Sequence, residues 1–188
     1  MKNLTEHLQE SARLIAAMAA TPAAARMDQA VDAIVAAFRA DKPLLVCGNG
    51  GSAADAMHIA GELVGRFLKE RRGYPCIALT ADNAILTSLG NDYGYEQVFT
   101  RQVEAYGNRG GVLLGISTSG NSANVVAAFV KARALGLTTI ALTGEGGGKL
   151  APLSDILIAA PSSAQQYIQQ IHLCLYQHLC EAVEAAMV

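Results

Sequence analysis

Leu44-Leu45-Val46-Cys47-Gly48-Asn49-Gly50-Gly51-Ser52 is an apolar, strand-like run that breaks into a glycine-rich turn and ends on a serine of the helix-capping kind. Glycines let backbone N–H groups converge, and a helix opening at Ser52 adds unpaired amides and the positive end of its dipole. That is the build of an anion site. A second copy lies at Gly111-Val112-Leu113-Leu114-Gly115-Ile116-Ser117-Thr118-Ser119-Gly120-Asn121-Ser122, where an apolar run gives way to a hydroxyl-rich loop and another helix. Two such loops point to one phosphorylated ligand held between them.

Outward from these loops the chain alternates. Continuous apolar runs at about 44–48, 76–80, 111–116, 138–142 and 155–160 are separated by helical segments, the pattern of a parallel sheet covered on both faces in three αβα layers. Upstream, Leu4, Leu8, Ile15 and Met18 mark one helix and Met27, Val31, Ile34, Val35 and Phe38 a second, with Thr21-Pro22 as the start signal between them. Downstream, Ala164 to Met187 reads as one long helix. No linker, repeat or low-complexity tract divides residues 1–188, which are expected to form a single α/β domain. Such sheets bind ligands beyond the carboxyl ends of their strands, so both loops should open on the same edge.

Composition narrows the function. With 52% apolar and only 16% charged residues, the chain has little charge to cover its own surface. It is expected to be an oligomer, with the helices at about 3–40 and 164–187 supplying the apolar faces. A net charge of −2 gives no electrostatic attraction for nucleic acid or anionic lipid. Lys69, Arg71 and Arg72, beside Glu70, read as a solvated helix end. No apolar run approaches the ~20 residues of a membrane span, and Met1-Lys2-Asn3 leads into an amphipathic helix instead of a signal peptide, so a cytoplasmic protein is expected. Cys47, Cys76, Cys174 and Cys180 show no metal or redox spacing and read as small buried residues in a reducing compartment.

Gly48, Gly50 and Ala53 satisfy G-x-G-x-x-A, but the acid that would bind a dinucleotide ribose should follow ~20 residues on. Asp82 lies well beyond that, in an apparent helix start, and neither loop closes with the Gly-Lys-Ser/Thr of a P-loop. The helix after the first loop carries Asp55, His58 and Glu62. His58 and Glu62, four residues apart, share a face. Ala56, Met57, Ile59, Ala60, Leu63 and Val64 suggest a largely buried helix, and a buried His–Glu pair needs a metal or a substrate as partner.

The run from Cys47 to Leu63 with its His58 and Glu62, then Gly90-Asn91-Asp92-Tyr93-Gly94, Ile116-Ser117-Thr118-Ser119-Gly120-Asn121-Ser122, and Leu142-Thr143-Gly144 with Gly147-Gly148, resembles the bacterial phosphoheptose isomerase family of sugar isomerase (SIS) domains. The resemblance implies interconversion of sedoheptulose 7-phosphate and D-glycero-D-manno-heptose 7-phosphate, the first step toward the ADP- or GDP-heptose of lipopolysaccharide core or surface glycans. It also implies a homotetramer with active sites between subunits. By position, Asn49, Gly50, Gly51, Ser52, Asn91 and Asp92 would contact the sugar phosphate, and Ser117, Thr118, Ser119 and Ser122 would grip its phosphate. The family's zinc ligands would fall on His58, Glu62 and Gln169, with Glu62 also the catalytic acid/base.

The family's fourth ligand is a histidine eight residues after the glutamine, where this chain has Gln177. At about 100° per residue Gln177 lies about 80° around a helix from Gln169, and His178 about 180°. His172 lies about 60° away on the other side, where the family often has a histidine as well, and it, a water or a residue of a neighbouring subunit is expected to complete the oxygen transfers beside Glu62. An amide carries no proton near neutral pH, so Gln177 could ligate zinc weakly or bond substrate without serving as a base. Two other readings stay open: a non-catalytic SIS tetramer that binds the replication initiator DnaA, and another sugar-phosphate isomerase or sensor. Glu62 has no use in a pure scaffold.

Overall fold

The five apolar runs become β1 (Leu44–Gly48), β2 (Cys76–Ala78), β3 (Val112–Ser117), β4 (Thr138–Thr143) and β5 (Ile156–Ala159) of one parallel sheet, in the order β2-β1-β3-β4-β5. The structure is a computed structural model that describes residues 3–107 and 111–188. Met1 and Lys2, on which the expectation of no signal peptide partly rests, lie outside the described residues.

Alternation along the strands builds two cores. Leu44 and Val46 of β1, with Val112, Leu114 and Ile116 of β3, face the layer of α1 (Leu4–Met18), α2 (Ala23–Arg39), α3 (Gly51–Val64) and α7 (Gln165–Met187). Leu45, Cys47, Leu113 and Ala141 face α5 (Thr100–Gly107) and α6 (Ala123–Ala134), with α4 (Asn83–Tyr93) at the margin. A strand buried on both faces must be apolar at every position, which is why the runs are continuous. Asp82 caps α4 by accepting the Ile85 N–H at 2.9 Å, as its place at a helix start implied.

Because β1 lies between β2 and β3, the strand order reverses there. The crevice beyond the carboxyl ends of β1 and β3 is the switch point at which open α/β sheets bind ligands. Both glycine- and serine-rich loops reach it.

Several local expectations are corrected. Helix α3 begins at Gly51 and is capped by Gly50, whose φ of 56° suits glycine, without a side-chain cap; Ser52 is buried within the first turn. Arg71 is no solvated helix end. It lies in the loop after α3 with its side chain 4% exposed, paired at 3.0 Å with Glu184, itself 1% exposed. Cys47, Cys76 and Cys180 are buried, whereas Cys174 is on the surface, on the α7 face that also carries exposed Leu173. No helix among the described residues is long and apolar enough to cross a membrane.

Candidate active site

Helix α3 leaves the crevice carrying Asp55, His58 and Glu62 one turn apart. His58 Nε2 stands 3.0 Å from Glu62 Oε1, with side chains 44% and 23% exposed. The pair is therefore half-open instead of buried. Met57 and Val64 are exposed as well; Ala56, Ile59 and Leu63 are buried with Ser52, and Ala60 packs half-buried against the same core. The apolar letters of this helix overstated its burial because two of them face outward.

Across from α3, α7 supplies Tyr176 and Gln177. The buried Tyr176 hydroxyl donates to Asp55 Oδ1 at 3.3 Å and meets His58 Nδ1 at 3.0 Å. His58 is thus held at both ring nitrogens, Nδ1 by the Tyr176 hydroxyl and Nε2 by Glu62 Oε1, with Gln177 Nε2 a further 3.3 Å contact at Nε2. Burial lifts the Asp55 pKa against the lowering effect of the Tyr176 bond and His58. Sequence reading passed over Tyr176, whose only local signal is that it adjoins the anomalous Gln177.

His172 is not beside Glu62. It is fully buried and its Nε2 donates to the Thr143 carbonyl at 3.0 Å, while Nδ1 has no hydrogen-bond partner among the described residues. Burial pushes its pKa down to about 4, with the Thr143 bond opposing. It seals the seam between α7 and β4 and is removed from the catalytic set. Exposed His178 lines an apolar cavity of about 280 Å³ between α1, α2 and α7, on the far side of α7, as the helical angle required.

The second loop turns back on itself. Ser117 and Ser122 hydroxyls lie 3.0 Å apart, Ser119 Oγ accepts the Asn121 N–H at 3.1 Å, and Gly120 N–H donates to Ser117 at 3.0 Å. Gly120 has φ 65°, and a Cβ there would collide with the Gly147 carbonyl, so the glycine is sterically required. Ser122 stands at the start of α6 without a side-chain cap, Ser119 is exposed and Thr118 half-buried. Asn91 and Asp92 occupy the exposed last turn of α4, bonded to each other at 2.8 Å. Just beyond them Tyr95 donates to Asn49 Oδ1 at 3.0 Å, and Asn49 also pairs with Asn124. Neither Tyr95 nor Asn124 carried a sequence signal.

Gln169 rests its amide nitrogen against Gly51, where a Cβ would stand 2.7 Å away, and so lies at the start of α3. His58, Glu62 and Gln177 come together; Gln169 is two helical turns closer to the sheet edge, about 12 Å along α7 from Gln177. Among the described residues no group of three or more His, Cys, Asp or Glu is arranged to hold a metal ion. Catalytic zinc is held by three protein ligands drawn from His, Cys and carboxylates. One imidazole and one carboxylate, with only the Gln177 amide beside them, do not fit it.

The SIS domain family profile matches residues 6–144. Phosphoheptose isomerase of Burkholderia pseudomallei (strain 1710b) is 48% identical over 96% of this chain and 92% of its own length. The chain belongs to the phosphoheptose isomerase family. The Aquifex aeolicus (strain VF5) phosphoheptose isomerase is 56% identical over 80% of this chain and 79% of its own length. The solved phosphoheptose isomerase GmhA of Neisseria gonorrhoeae superposes with a TM-score of 0.90 at 39% identity over 97% of both chains. That of Francisella tularensis gives 0.92 at 36% identity, over 97% of this chain and 96% of its own. The three-layer SIS fold is shared from the opening helices to the last one.

Proposed function

We propose that this protein interconverts sedoheptulose 7-phosphate and D-glycero-D-manno-heptose 7-phosphate through an enediol, with Glu62 as the base. The observation that carries this is a carboxylate, Glu62, held 3.0 Å from His58 on the helix that rises from the first glycine loop, in a chain of this family. With Oε1 held by His58, Oε2 takes a proton from C1 of the ketose. The C1–C2 double bond forms, the carbonyl electrons move to O2, and O2 is protonated. The reverse flow then opens the enediol toward the aldose: O1 loses its proton as the C1 carbonyl forms, and Glu62 returns its proton to C2.

Phosphate is assigned to the Ser117–Ser122 loop and the first turns of α3 and α6, where hydroxyls and unpaired amides are neutral donors suited to a dianion. Asn49, Gly50, Gly51, Ser52, Asn91, Asp92 and Gln169 are assigned to the rest of the substrate. His58, poised by Tyr176 and Gln177, is assigned the proton traffic between O1 and O2.

The physiological form is proposed to be a cytoplasmic homotetramer supplying heptose for surface glycans. Exposed Leu4 (72%), Leu8 (57%) and Leu173 (44%) on α1 and α7 support association. Incubation with sedoheptulose 7-phosphate, followed by NMR, should show the aldose signals in the parent. Glu62→Gln should lower turnover ~10²–10⁴-fold, the contribution of an essential acid/base. An inactive parent, or a fully active Glu62→Gln, overturns the proposal.

A further inference from the structure

Asn49 and Asn124 exchange two hydrogen bonds across the crevice: Asn49 Nδ2 donates to Asn124 Oδ1 and Asn124 Nδ2 to Asn49 Oδ1, each at 2.9 Å. One residue follows β1 and the other lies in the first turn of α6, after β3. The pair therefore staples the two sides of the switch point. Asn124 is 3% exposed.

The direction of the pair is determined chemically. The Val125 backbone N–H can only donate, and it meets Asn124 at 3.0 Å, so the atom it meets is the carbonyl oxygen. The other end of Asn124 is then the NH₂ group, and the Asn49 atom facing it is the oxygen. Tyr95, a residue 64% exposed, brings its hydroxyl to the same Asn49 oxygen at 3.0 Å. An asparagine amide has two N–H donors and two acceptor lone pairs. At Asn49 both lone pairs and one N–H are taken. A single N–H remains.

We propose that Asn124 is a positioning residue which, with Tyr95, fixes Asn49 as a donor-only group for the sugar. The inference rests on the isomerase reading and adds a selection rule to it. Asn49 can bond an oxygen that accepts, a carbonyl, an enediolate or the lone pair of a hydroxyl, and cannot accept from a hydroxyl that must donate. An asparagine free to rotate would do either, so the lock converts a promiscuous side chain into a directional one.

Two measurements test this. In the substrate-free protein, the Asn49 side-chain amide resonances, assigned by their loss in Asn49→Ala, should shift in Asn124→Ala and exchange with solvent roughly tenfold faster, as expected for one lost hydrogen bond. Unchanged exchange overturns the lock whether or not the protein is an isomerase. Second, kcat/KM for sedoheptulose 7-phosphate is compared in Asn49→Ala, Asn124→Ala, Tyr95→Phe and the double variants. Asn124→Ala should lose about tenfold and Tyr95→Phe about threefold, with neither adding more than about twofold in the Asn49→Ala background. Losses that multiply show that Asn124 and Tyr95 act by some route other than Asn49 and overturn the proposal. Tyr95→Phe removes one exposed hydroxyl, so the cycle remains readable if Asn124→Ala folds poorly. Absence of turnover in the parent defeats the isomerase reading and leaves the amide measurement to decide the lock.

Discussion

The two ends of α3 are finished in opposite ways. At the N-terminal end, Gly50 offers no side-chain cap, and the surrounding groups are neutral amides and hydroxyls: Asn49, Asn124, Ser117, Ser122 and Gln169. At the C-terminal end, the Arg71 guanidinium donates to the carbonyls of Glu62 at 2.8 Å, Leu63 at 3.0 Å and Gly65, and stacks on Tyr74 at 4.3 Å. Glu184 on α7 neutralises it and accepts the N–H groups of Phe67, Leu68 and Lys69. Burial alone would raise the Glu184 pKa, but the Leu68, Phe67 and Lys69 amides and the Arg71 charge outweigh it and hold the carboxyl below the usual range. A helix is a dipole with unsatisfied groups at both ends. Here the negative end receives its counter-charge from within the chain, whereas the positive end faces neutral groups, which suits the phosphate proposed to bind there. One end is neutralised from within; the other is the proposed binding end.

That division can be broken most forcefully at Glu184. Glu184→Ala leaves Arg71 buried and unpaired and should lower unfolding free energy by ~3–5 kcal/mol in urea titrations. A loss below ~1 kcal/mol would make the pair equivalent to a surface ion pair and remove the contrast. A smaller effect is expected at His172, in the seam between α7 and β4. Its pKa falls from 6.5 to about 4 on folding, so the unfolded chain takes up a proton before the folded one does. Stability from this residue is complete above pH 6.5 and declines as pH falls toward 4, by ~2 kcal/mol at pH 5. Urea midpoints at pH 7 and pH 5 should show that decline in the parent and much less of it in His172→Gln. Equal slopes would mean that His172 titrates normally.

The smallest stability change is expected at the binding end. Ser119→Ala, on the exposed loop, should weaken sugar-phosphate binding by ~1–3 kcal/mol in calorimetry through loss of a charge-assisted bond. Its melting temperature should stay within about 2 °C, since a surface substitution is worth under ~0.5 kcal/mol. Unchanged affinity would move the phosphate to another loop.

Much of the fold is legible in the order of apolar and polar residues. Each strand is a continuous apolar run bounded by Gly, Pro or polar residues, and each falls within about two residues of its observed bounds. The two loops are legible for the same reason: β1 feeding Gly48-Asn49-Gly50-Gly51, and β3 feeding Ser117-Thr118-Ser119-Gly120, are contiguous stretches whose conformation is set by neighbours in sequence. Tyr95, Asn124, Tyr176 and Arg71 are not. Their partners are 46, 75, 118 and 113 residues away, and no local pattern encodes such a pairing.

His172 shows where local reasoning stops. Helical spacing correctly put it on a different face from His178, but it could not tell that Gln177 would meet His58 while Gln169 met Gly51. Spacing fixes which residues of a helix share a face, because the rotation per residue is a covalent and hydrogen-bonding constant. The sequence by itself therefore determined the alternation of strands and helices, the two glycine- and hydroxyl-rich turns and the common face of His58 and Glu62. Which face of α7 meets β4, which meets α3 and which meets water was decided only by packing. Burying the apolar stripe against one neighbour rotates the whole helix, and that rotation sent His172 to the Thr143 carbonyl, Tyr176 and Gln177 to His58, and Glu184 to Arg71.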